Sequence, residues 1–305
     1  MITIYKNENS QLKKQKEIEA GTWINVDHFS SEELDEIHKS TNIELNLLKK
    51  LMDTHETARV EQREDTVLIV LKVPIKKYNG YRTVPLGIIV APNHIVTICN
   101  EGNQVFKQPL EDSSLNPLEK TNFTIQIFYY VATLYLSHLE EVQNDLQNQE
   151  KSLYHATNNT ALKGLMKIEK SLVYFMQSLS SNEMVLERIA SGNVLPLYKG
   201  DERLLEDAMI ENRQAIAMAN LYQELLSSLT DSYGTIISNN LNQIMKFLAG
   251  VTIVISIPTM VSSFIGMNVP LGKLGEDPMA FLYLCIFSLI ISLIVAFYLK
   301  RKNML

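Results

Sequence analysis

The sequence predicts a mixed α/β domain at the N-terminus, then a series of long helices, and finally a two-helix membrane hairpin at the C-terminus. Three observations lead to this prediction. Short β-branched runs bounded by Pro, Gly and Asn occur within roughly the first 115 residues, and this pattern is typical of strands. From Thr121 onward the strand pattern stops and helical stretches follow. From Phe247 to the C-terminus the chain is almost entirely apolar.

Three runs in the N-terminal part, residues 1–120, have the character of buried strands. They are Val67–Val73, Leu86–Ala91 and His94–Cys99. Ser30 and Glu33 form a capping-box pattern that predicts the start of a short helix. The lone tryptophan, Trp23, is most simply a packing residue of this domain.

Two helical stretches follow and predict a helical hairpin over residues 121–200. They run from Thr121 to about Ala156 and from Thr160 to about Ala190, with breaks at Asn158-Asn159 and at Ser191-Gly192-Asn193. The segment Asp201–Gly250 contains no proline and a single interior glycine, Gly234. It therefore predicts one long stalk helix, 201–246, that continues into the first membrane span.

Two uncharged runs predict the membrane spans. Residues 279–299 are 21 residues without a charge, enough at about 1.5 Å per residue to cross a hydrocarbon core of roughly 30 Å. Residues 247–265 form a second uncharged run of 19 residues that contains Pro258 and several hydroxyl side chains. A proline is tolerated in a membrane helix when neighbouring groups satisfy the freed carbonyl.

The charges that flank the spans predict their orientation. Lys246 precedes the first span, and residues 300–305 form a basic tail with Lys300, Arg301 and Lys302. The connecting loop, 266–278, has three glycines, two prolines and one lysine against two acids. The positive-inside rule then places both termini in the cytoplasm and the loop outside a plasma or inner membrane.

Composition excludes several functional classes. The net charge of −6 comes from 34 acidic and 28 basic residues, and no long basic stretch is present, so a nucleic-acid partner is not expected. Cys99 and Cys285 fit neither a disulfide nor a zinc pattern. Because no nucleophile elbow, P-loop or HExxH motif occurs, an enzyme is not predicted.

A polar stripe follows the first span when positions are taken in steps of three and four. Its members are mostly small or hydroxyl-bearing: Asn242, Met245, Ala249, Thr252, Ser256, Thr259 and Ser263. Polar groups in a bilayer face a bundle interior or an aqueous cavity, so several copies of this helix could surround a water-filled path. Small residues also line dry helix interfaces, and the pattern alone leaves pore and packing equally open. A pore would require a homo-oligomer, since two spans cannot enclose a channel.

One tripeptide and its context resemble a known family. Gly266-Met267-Asn268, at the outer end of the first of two C-terminal spans, resembles the GMN motif of CorA-type magnesium transporters. Upstream, residues 242–248 resemble that family's Asn-x-x-Met-Lys-x-Leu lead-in to its pore helix. The resemblance covers the organisation of the whole chain and is most specific over about 200–302.

The resemblance implies a funnel-shaped homopentamer that carries Mg²⁺ into the cell and is closed by intracellular Mg²⁺. By the same resemblance the stripe lines the pore, Asn268 helps to bind the hydrated ion at the mouth, and Met245 with Leu248 forms a hydrophobic constriction. Asp207 and Asp231 match the family's stalk acids, of which Asp207 corresponds to a regulatory magnesium site.

Two alternatives remain open at this point. The same architecture could carry Co²⁺, Ni²⁺ or Zn²⁺, since Ile265 stands where the family usually has Tyr and Ser256 replaces a bulkier residue of many members. A different class, a membrane-anchored sensor or scaffold without ion flux, would not need Asn268.

Overall fold

The computed structural model describes residues 1–8, 11–54, 56–78, 80–102, 104–111, 115–153, 160–267, 272 and 278–304. The chain divides into two compact units, Met1–Leu229 and Thr230–Leu305. The predicted fold class, an α/β domain followed by a long helix and two apolar C-terminal helices, is confirmed.

A seven-stranded sheet organises the first unit, in the order β2-β1-β3-β7-β6-β5-β4. Its strands are β1 (Ile2–Glu8), β2 (Gln11–Gln15), β3 (Thr22–Asp27), β4 (Arg59–Arg63), β5 (Thr66–Lys77), β6 (Gly80–Val90) and β7 (His94–Cys99). The β3–β7 pair is parallel, and the other pairs are antiparallel. The three predicted strands correspond to β5, β6 and β7, whereas β1 to β4 were not predicted.

The helices have the following bounds: α1 (Ser31–Thr41), α2 (Leu45–Lys50), α3 (Lys107–Glu111), α4 (Lys120–Leu153), α5 (Thr160–Ala190), α6 (Asp201–Ile265) and α7 (Ala280–Arg301). The capping box predicted at Ser30 is present, since its hydroxyl accepts from the Glu33 N–H and the Glu33 carboxylate accepts from the Ser30 N–H. α6 is one uninterrupted helix of 65 residues that begins in the first unit and ends in the second.

Both faces of the central strands are covered. Leu68 and Val70 of β5 pack in one core together with residues of α1 and α2, while the alternate residues Ile69 and Leu71 pack in a second core together with residues of α4 and α5. A strand buried on both sides must be apolar at successive positions, which explains the continuous run VLIVL. At Gly87 a Cβ would lie 2.2 Å from the Leu51 side chain, so glycine is needed for the close approach of Leu51 to β6.

Trp23 is a packing residue, as predicted. Its side chain is fully buried in the second core, and its ring stacks on Tyr5 with centroids 4.8 Å apart. The indole N–H donates to the Thr97 hydroxyl at 2.8 Å. The tryptophan therefore fixes the β1–β3–β7 part of the sheet without leaving a buried donor unpaired.

The side chain of Asn182 on α5 replaces a missing strand. β4 pairs with β5 only as far as Val70, and the next part of β5 needs other hydrogen-bond partners. The fully buried amide of Asn182 accepts from the Lys72 backbone N–H and donates to the Lys72 backbone carbonyl, each at 2.8 Å. It thereby joins α5 to the sheet with the hydrogen bonds that a neighbouring strand would supply.

We expect Asn182→Ala to destabilise the first unit by about 2–3 kcal/mol. The substitution leaves the buried Lys72 N–H without a partner, and the Lys72 carbonyl keeps only the hydrogen bond from the Tyr135 hydroxyl. Each lost partner costs about 1–3 kcal/mol. Thermal or denaturant unfolding of the purified chain measures the change. Ser180→Ala, at an exposed position of the same helix, is the control and should stay within about 0.5 kcal/mol.

A charged cluster ties α4 to the β5–β6 hairpin. The Glu141 carboxylate accepts hydrogen bonds from Lys76 and from the Tyr81 hydroxyl, and these bonds lower the pKa of Glu141 to about 2. Because this pKa is below its unfolded value near 4.5, the stabilisation is present above pH 4.5 and is lost as pH falls toward 2. The contribution is small, since Glu141 is partly exposed.

Candidate functional site

The polar stripe predicted on the first span lies on an exposed face of α6 within the second unit. Asn242, Met245, Leu248 and Ala249 are exposed, and so are the hydroxyl residues Thr252, Ser256, Thr259 and Ser263. None of these stripe positions is covered by the protomer's own described residues. The stripe is therefore available to face other copies of the chain or an aqueous path.

All four hydroxyls of the stripe form a hydrogen bond with the backbone of their own helix. Each donates its proton to a carbonyl of the preceding turn: Thr252 to Leu248 at 2.8 Å, Ser256 to Ile253 at 2.8 Å, Thr259 to Ile255 at 3.2 Å and Ser263 to Thr259 at 2.8 Å. A hydroxyl has one proton and two lone pairs. Once the proton is bound to the helix, the oxygen presents acceptor lone pairs to whatever lies beside the stripe.

The covered face of the same segment is a different one. Gly250 is buried, and Val254, Ile257 and Val261 are half-buried, at a spacing of three and four residues. On α7 the buried positions include Ser288 and Ser292, again spaced by four. Small residues at such spacing allow membrane helices to approach closely. Gly250, Ser288 and Ser292 are thus small, covered residues that lie outside the polar stripe.

α6 ends at the predicted motif. The Gly266 N–H donates to the Ser262 carbonyl at 2.9 Å and completes the last turn, and Met267 is exposed directly after it. Asn268, the third residue of the motif, lies outside the described residues. α6 and α7 are both long and apolar enough to cross a membrane, and very little of either apolar stretch is buried within the chain.

The two predicted regulatory acids lie on α6, in different units. Asp207 and Asp231 are both exposed, and the Asp231 backbone carbonyl accepts from the Thr235 hydroxyl at 3.1 Å. They are 24 residues apart on one helix, so they cannot bind the same ion from a single chain. Within the described residues, no group of three or more His, Cys, Asp or Glu side chains is arranged to hold a metal.

Apolar residues share the exposed face of the stalk near Asp207. Ile210, Leu221 and Leu225 are 47% to 52% exposed, although they belong to the part of α6 that precedes the apolar span. Ile210 lies about one turn from Asp207, while Leu221 and Leu225 lie about four and five turns from it along α6. These three residues were not predicted, although a 3.6-residue period from Asp207 reaches each of them.

Comparison with known proteins bears on this arrangement. Residues 19–301 match the family model described as CorA-like Mg²⁺ transporter protein. A curated relative, the cobalt/magnesium transport protein CorA of Methanocaldococcus jannaschii, is 26% identical over 290 residues, which cover 92% of this chain and 90% of the relative.

Solved structures share the fold. The complete structure of the CorA magnesium transporter from Methanocaldococcus jannaschii superposes with a TM-score of 0.86 at 24% identity and covers 100% of this chain and 99% of that one. The cytoplasmic domain of ZntB from Vibrio parahaemolyticus has a TM-score of 0.63 at 8% identity, over 78% of this chain and 98% of that one. At these identities the likeness is one of fold.

Proposed function

Because this chain belongs to the CorA-like Mg²⁺ transporter family, we propose that it conducts Mg²⁺ across a cell membrane along the polar stripe of α6. The observation that carries the proposal is the exposed row of hydroxyls whose oxygens face outward as acceptors. Family membership supports the transport of divalent cations in general. The ion, the path and its regulation are proposals.

The acceptor character of the stripe suits a hydrated divalent cation. Mg²⁺ sheds its water reluctantly, and the waters that it polarises direct their protons outward. A wall of hydroxyl oxygens accepts hydrogen bonds from that shell and leaves the metal's own ligands unchanged. A ring of carboxylates would bind the ion too tightly for release. We propose that the ion passes the stripe with its inner water shell retained.

Each position along the path has a proposed role. Gly266, Met267 and Asn268 form the outer mouth, where neutral amide and carbonyl groups bind the hydrated ion. Met245 and Leu248, which are 68% and 63% exposed in the single chain, form a hydrophobic constriction near the inner end. Asn242 provides a polar ring next to that constriction.

The membrane potential supplies the driving force in this proposal. With both termini and the basic tail in the cytoplasm, the mouth faces outward. A divalent ion moving inward across an inside-negative membrane gains about 4.6 kcal/mol per 100 mV, twice the value for a unit charge. Uptake therefore needs no nucleotide, and none of the motifs in the sequence requires one.

We propose that five copies assemble into a funnel-shaped homopentamer. The exposed stripe in the membrane and the exposed Ile210, Leu221 and Leu225 on the stalk give each copy surfaces that a neighbour would cover. Native mass measurement in mild detergent should give five chains per particle. A monomer or dimer under conditions that preserve activity would contradict the proposal.

A flux assay tests the function and the choice of ion. We expect the purified chain in liposomes to carry Mg²⁺ in response to an inside-negative potential. Parallel assays with Co²⁺, Ni²⁺ and Zn²⁺ decide between a magnesium path and the related alternatives. Absence of flux for all four ions, in correctly oriented pentamers, would favour the sensor or scaffold alternative.

The hydroxyl wall makes a specific prediction at Thr252. Thr252→Val keeps the shape of the side chain and removes the acceptor, so we expect Mg²⁺ flux to fall by roughly fivefold or more, at about 1 kcal/mol per lost hydrogen bond. Thr252→Ser keeps the acceptor and should retain most of the flux. Ser262→Ala, an exposed hydroxyl residue of α6 outside the stripe, is the control. Equal flux through the Val and Ser variants would show that the hydroxyl does not contact the hydrated ion.

A further inference from the structure

A polar cavity of about 260 Å³ lies in the first unit, away from the proposed ion path. It opens beside the part of β5 that β4 does not cover, between Thr54, Thr57 and Ala58 on one side and the β5–β6 hairpin and α5 on the other. Six hydroxyl and amide side chains line it: Thr54, Thr57, Thr83, Gln177, Ser178 and Ser181. Its charged lining residues are Lys72, Arg82 and Glu101.

Positive charge exceeds negative charge at this cavity. Among the described lining residues Glu101 is the only carboxylate, and it is already paired with Arg82 and also with Lys77 at 2.8 Å. Glu101 is therefore already shared by two cations, Arg82 and Lys77, and Lys72 is a third. The cavity is left with a cationic side chain that Glu101 does not neutralise.

Lys72 is the cation without a counterion. Its ammonium is half-buried and donates to the Thr54 carbonyl at 3.2 Å, and within the described residues no carboxylate lies within 4 Å of it. Asp53 and Glu56 act on it from farther away, and Glu56 is itself paired with Arg59. Burial lowers the pKa of Lys72, and the more distant carboxylates of Asp53 and Glu56 oppose this effect only in part.

One hydroxyl of the cavity wall, that of Thr83, keeps a proton that it can donate into the open space. Ser178 donates its hydroxyl proton to the Thr83 hydroxyl oxygen at 2.8 Å, and Ser181 donates to the Ser178 backbone carbonyl at 2.9 Å. Because Thr83 accepts from Ser178, its own proton is free to be donated elsewhere. Thr83 therefore supplies a directed neutral donor next to the Lys72 charge.

We propose that this cavity binds a small phosphate-bearing anion, either inorganic phosphate or a phosphate monoester, with Lys72 as its charge partner and Thr83 as a hydrogen-bond donor. Lysine binds phosphate as a point charge, and the Thr83 hydroxyl adds a neutral donor for one of the phosphate oxygens. The cavity is larger than one phosphate group, so the space beside the Tyr174 ring can accept an ester substituent. This site is independent of the proposed ion path.

Lysine reactivity provides a direct test on the full-length chain in detergent. An amine with a lowered pKa reacts readily with a reductive-methylation reagent, and a bound anion would both shield it and restore its proton. We expect inorganic phosphate or AMP to reduce methylation of Lys72 in proportion to occupancy, about tenfold at ten times the dissociation constant. Lys163, an exposed lysine of α5 outside the cavity, is the internal control in the same digest.

The arms of the experiment distinguish the source of the phosphate. Protection by phosphate at lower concentration than by AMP identifies free phosphate, and the reverse order identifies a monoester. A second measurement uses Lys72→Gln and Thr83→Val, which should abolish and weaken, respectively, the phosphate-induced rise in unfolding temperature, while Lys163→Gln keeps it. Equal protection of Lys72 by acetate or by chloride of matched ionic strength would overturn the proposal, as would no protection by either phosphate compound.

Discussion

Asn268→Ala should reduce Mg²⁺ uptake by about two orders of magnitude or more, close to the background of empty liposomes. In the proposed pentamer the substitution removes five amides at once from the outer mouth, where an incoming ion first meets the protein. Each amide hydrogen bond to the hydrated ion is worth about 1 kcal/mol, so a ring of them accounts for several kcal/mol of binding at the entrance. The effect should appear in the rate of entry, since the rest of the path is unchanged.

The control for this experiment separates conduction from assembly. Asn268→Ala should assemble to the same mass and unfold at the same temperature as the unaltered chain, because Asn268 follows the end of α6 and belongs to the loop predicted between the two membrane spans. Asn193→Ala, an exposed asparagine in the turn that follows α5, is the matched amide control and should keep full uptake. Normal uptake by the Asn268 variant at equal membrane expression would remove this residue from the mouth.

The strands were predictable from the sequence where both of their faces are buried. β5 to β7 are flanked by helices on both faces, so their sequences are apolar at nearly every position and stand out from the chain. β2 (QLKKQ) and β4 (RVEQR) lie at the two edges of the sheet, where exposed charged and amide side chains are ordinary. Their strand state depends on pairing with a neighbour, which a local pattern does not report.

The sequence predicts which residues of the candidate path share a face of α6, but not which hydrogen bonds their hydroxyls form. The three-and-four step identified the residues that lie together on α6, because helix geometry alone fixes that set. The carbonyl to which each hydroxyl donates depends on its rotamer: Ser256 donates to the carbonyl three residues back and Thr252 to the carbonyl four residues back, both at 2.8 Å. That difference is visible only with side chains in place.

The role of Asp207 could be interpreted only together with the side chains exposed on the same helix. From the sequence, Asp207 is equally well explained by a solvated helix face. Ile210 is exposed one turn from Asp207, and Leu221 and Leu225 are exposed about four and five turns away along α6. In the proposed pentamer a neighbouring copy would cover these apolar side chains, and Asp207 would then lie close to the neighbour's charges.

Asp207→Asn should weaken closure by intracellular Mg²⁺ without blocking conduction. In the proposed pentamer, carboxylates near subunit boundaries repel one another, and a bound divalent ion removes that repulsion and favours the symmetric closed state. The ion acts through its higher affinity for that state. Since α6 continues without a break from Asp207 to Met245 and Leu248, the bias can reach the constriction along a single helix.

The expected change is a shift of the half-inhibitory internal Mg²⁺ concentration to about tenfold higher values. A tenfold shift corresponds to about 1.4 kcal/mol of lost differential binding, a reasonable share for one carboxylate at an ion site. The same variant should lose part of the Mg²⁺ protection of the stalk against proteolysis. Asp231→Asn should also raise the half-inhibitory Mg²⁺ concentration. The size of that rise shows how much Asp231 contributes to closure by Mg²⁺.

The control is Glu206→Gln, which removes one charge from the adjacent exposed position of α6 and leaves Asp207 in place. If closure depended on the total acidity of the stalk, Glu206→Gln and Asp207→Asn would shift the Mg²⁺ dependence equally. If Asp207 binds the regulatory ion, only Asp207→Asn moves both the current and the protease resistance. An unchanged Mg²⁺ dependence of both measurements in Asp207→Asn would mean that this carboxylate belongs to a solvated face, and closure would then have to originate elsewhere on the subunit boundary.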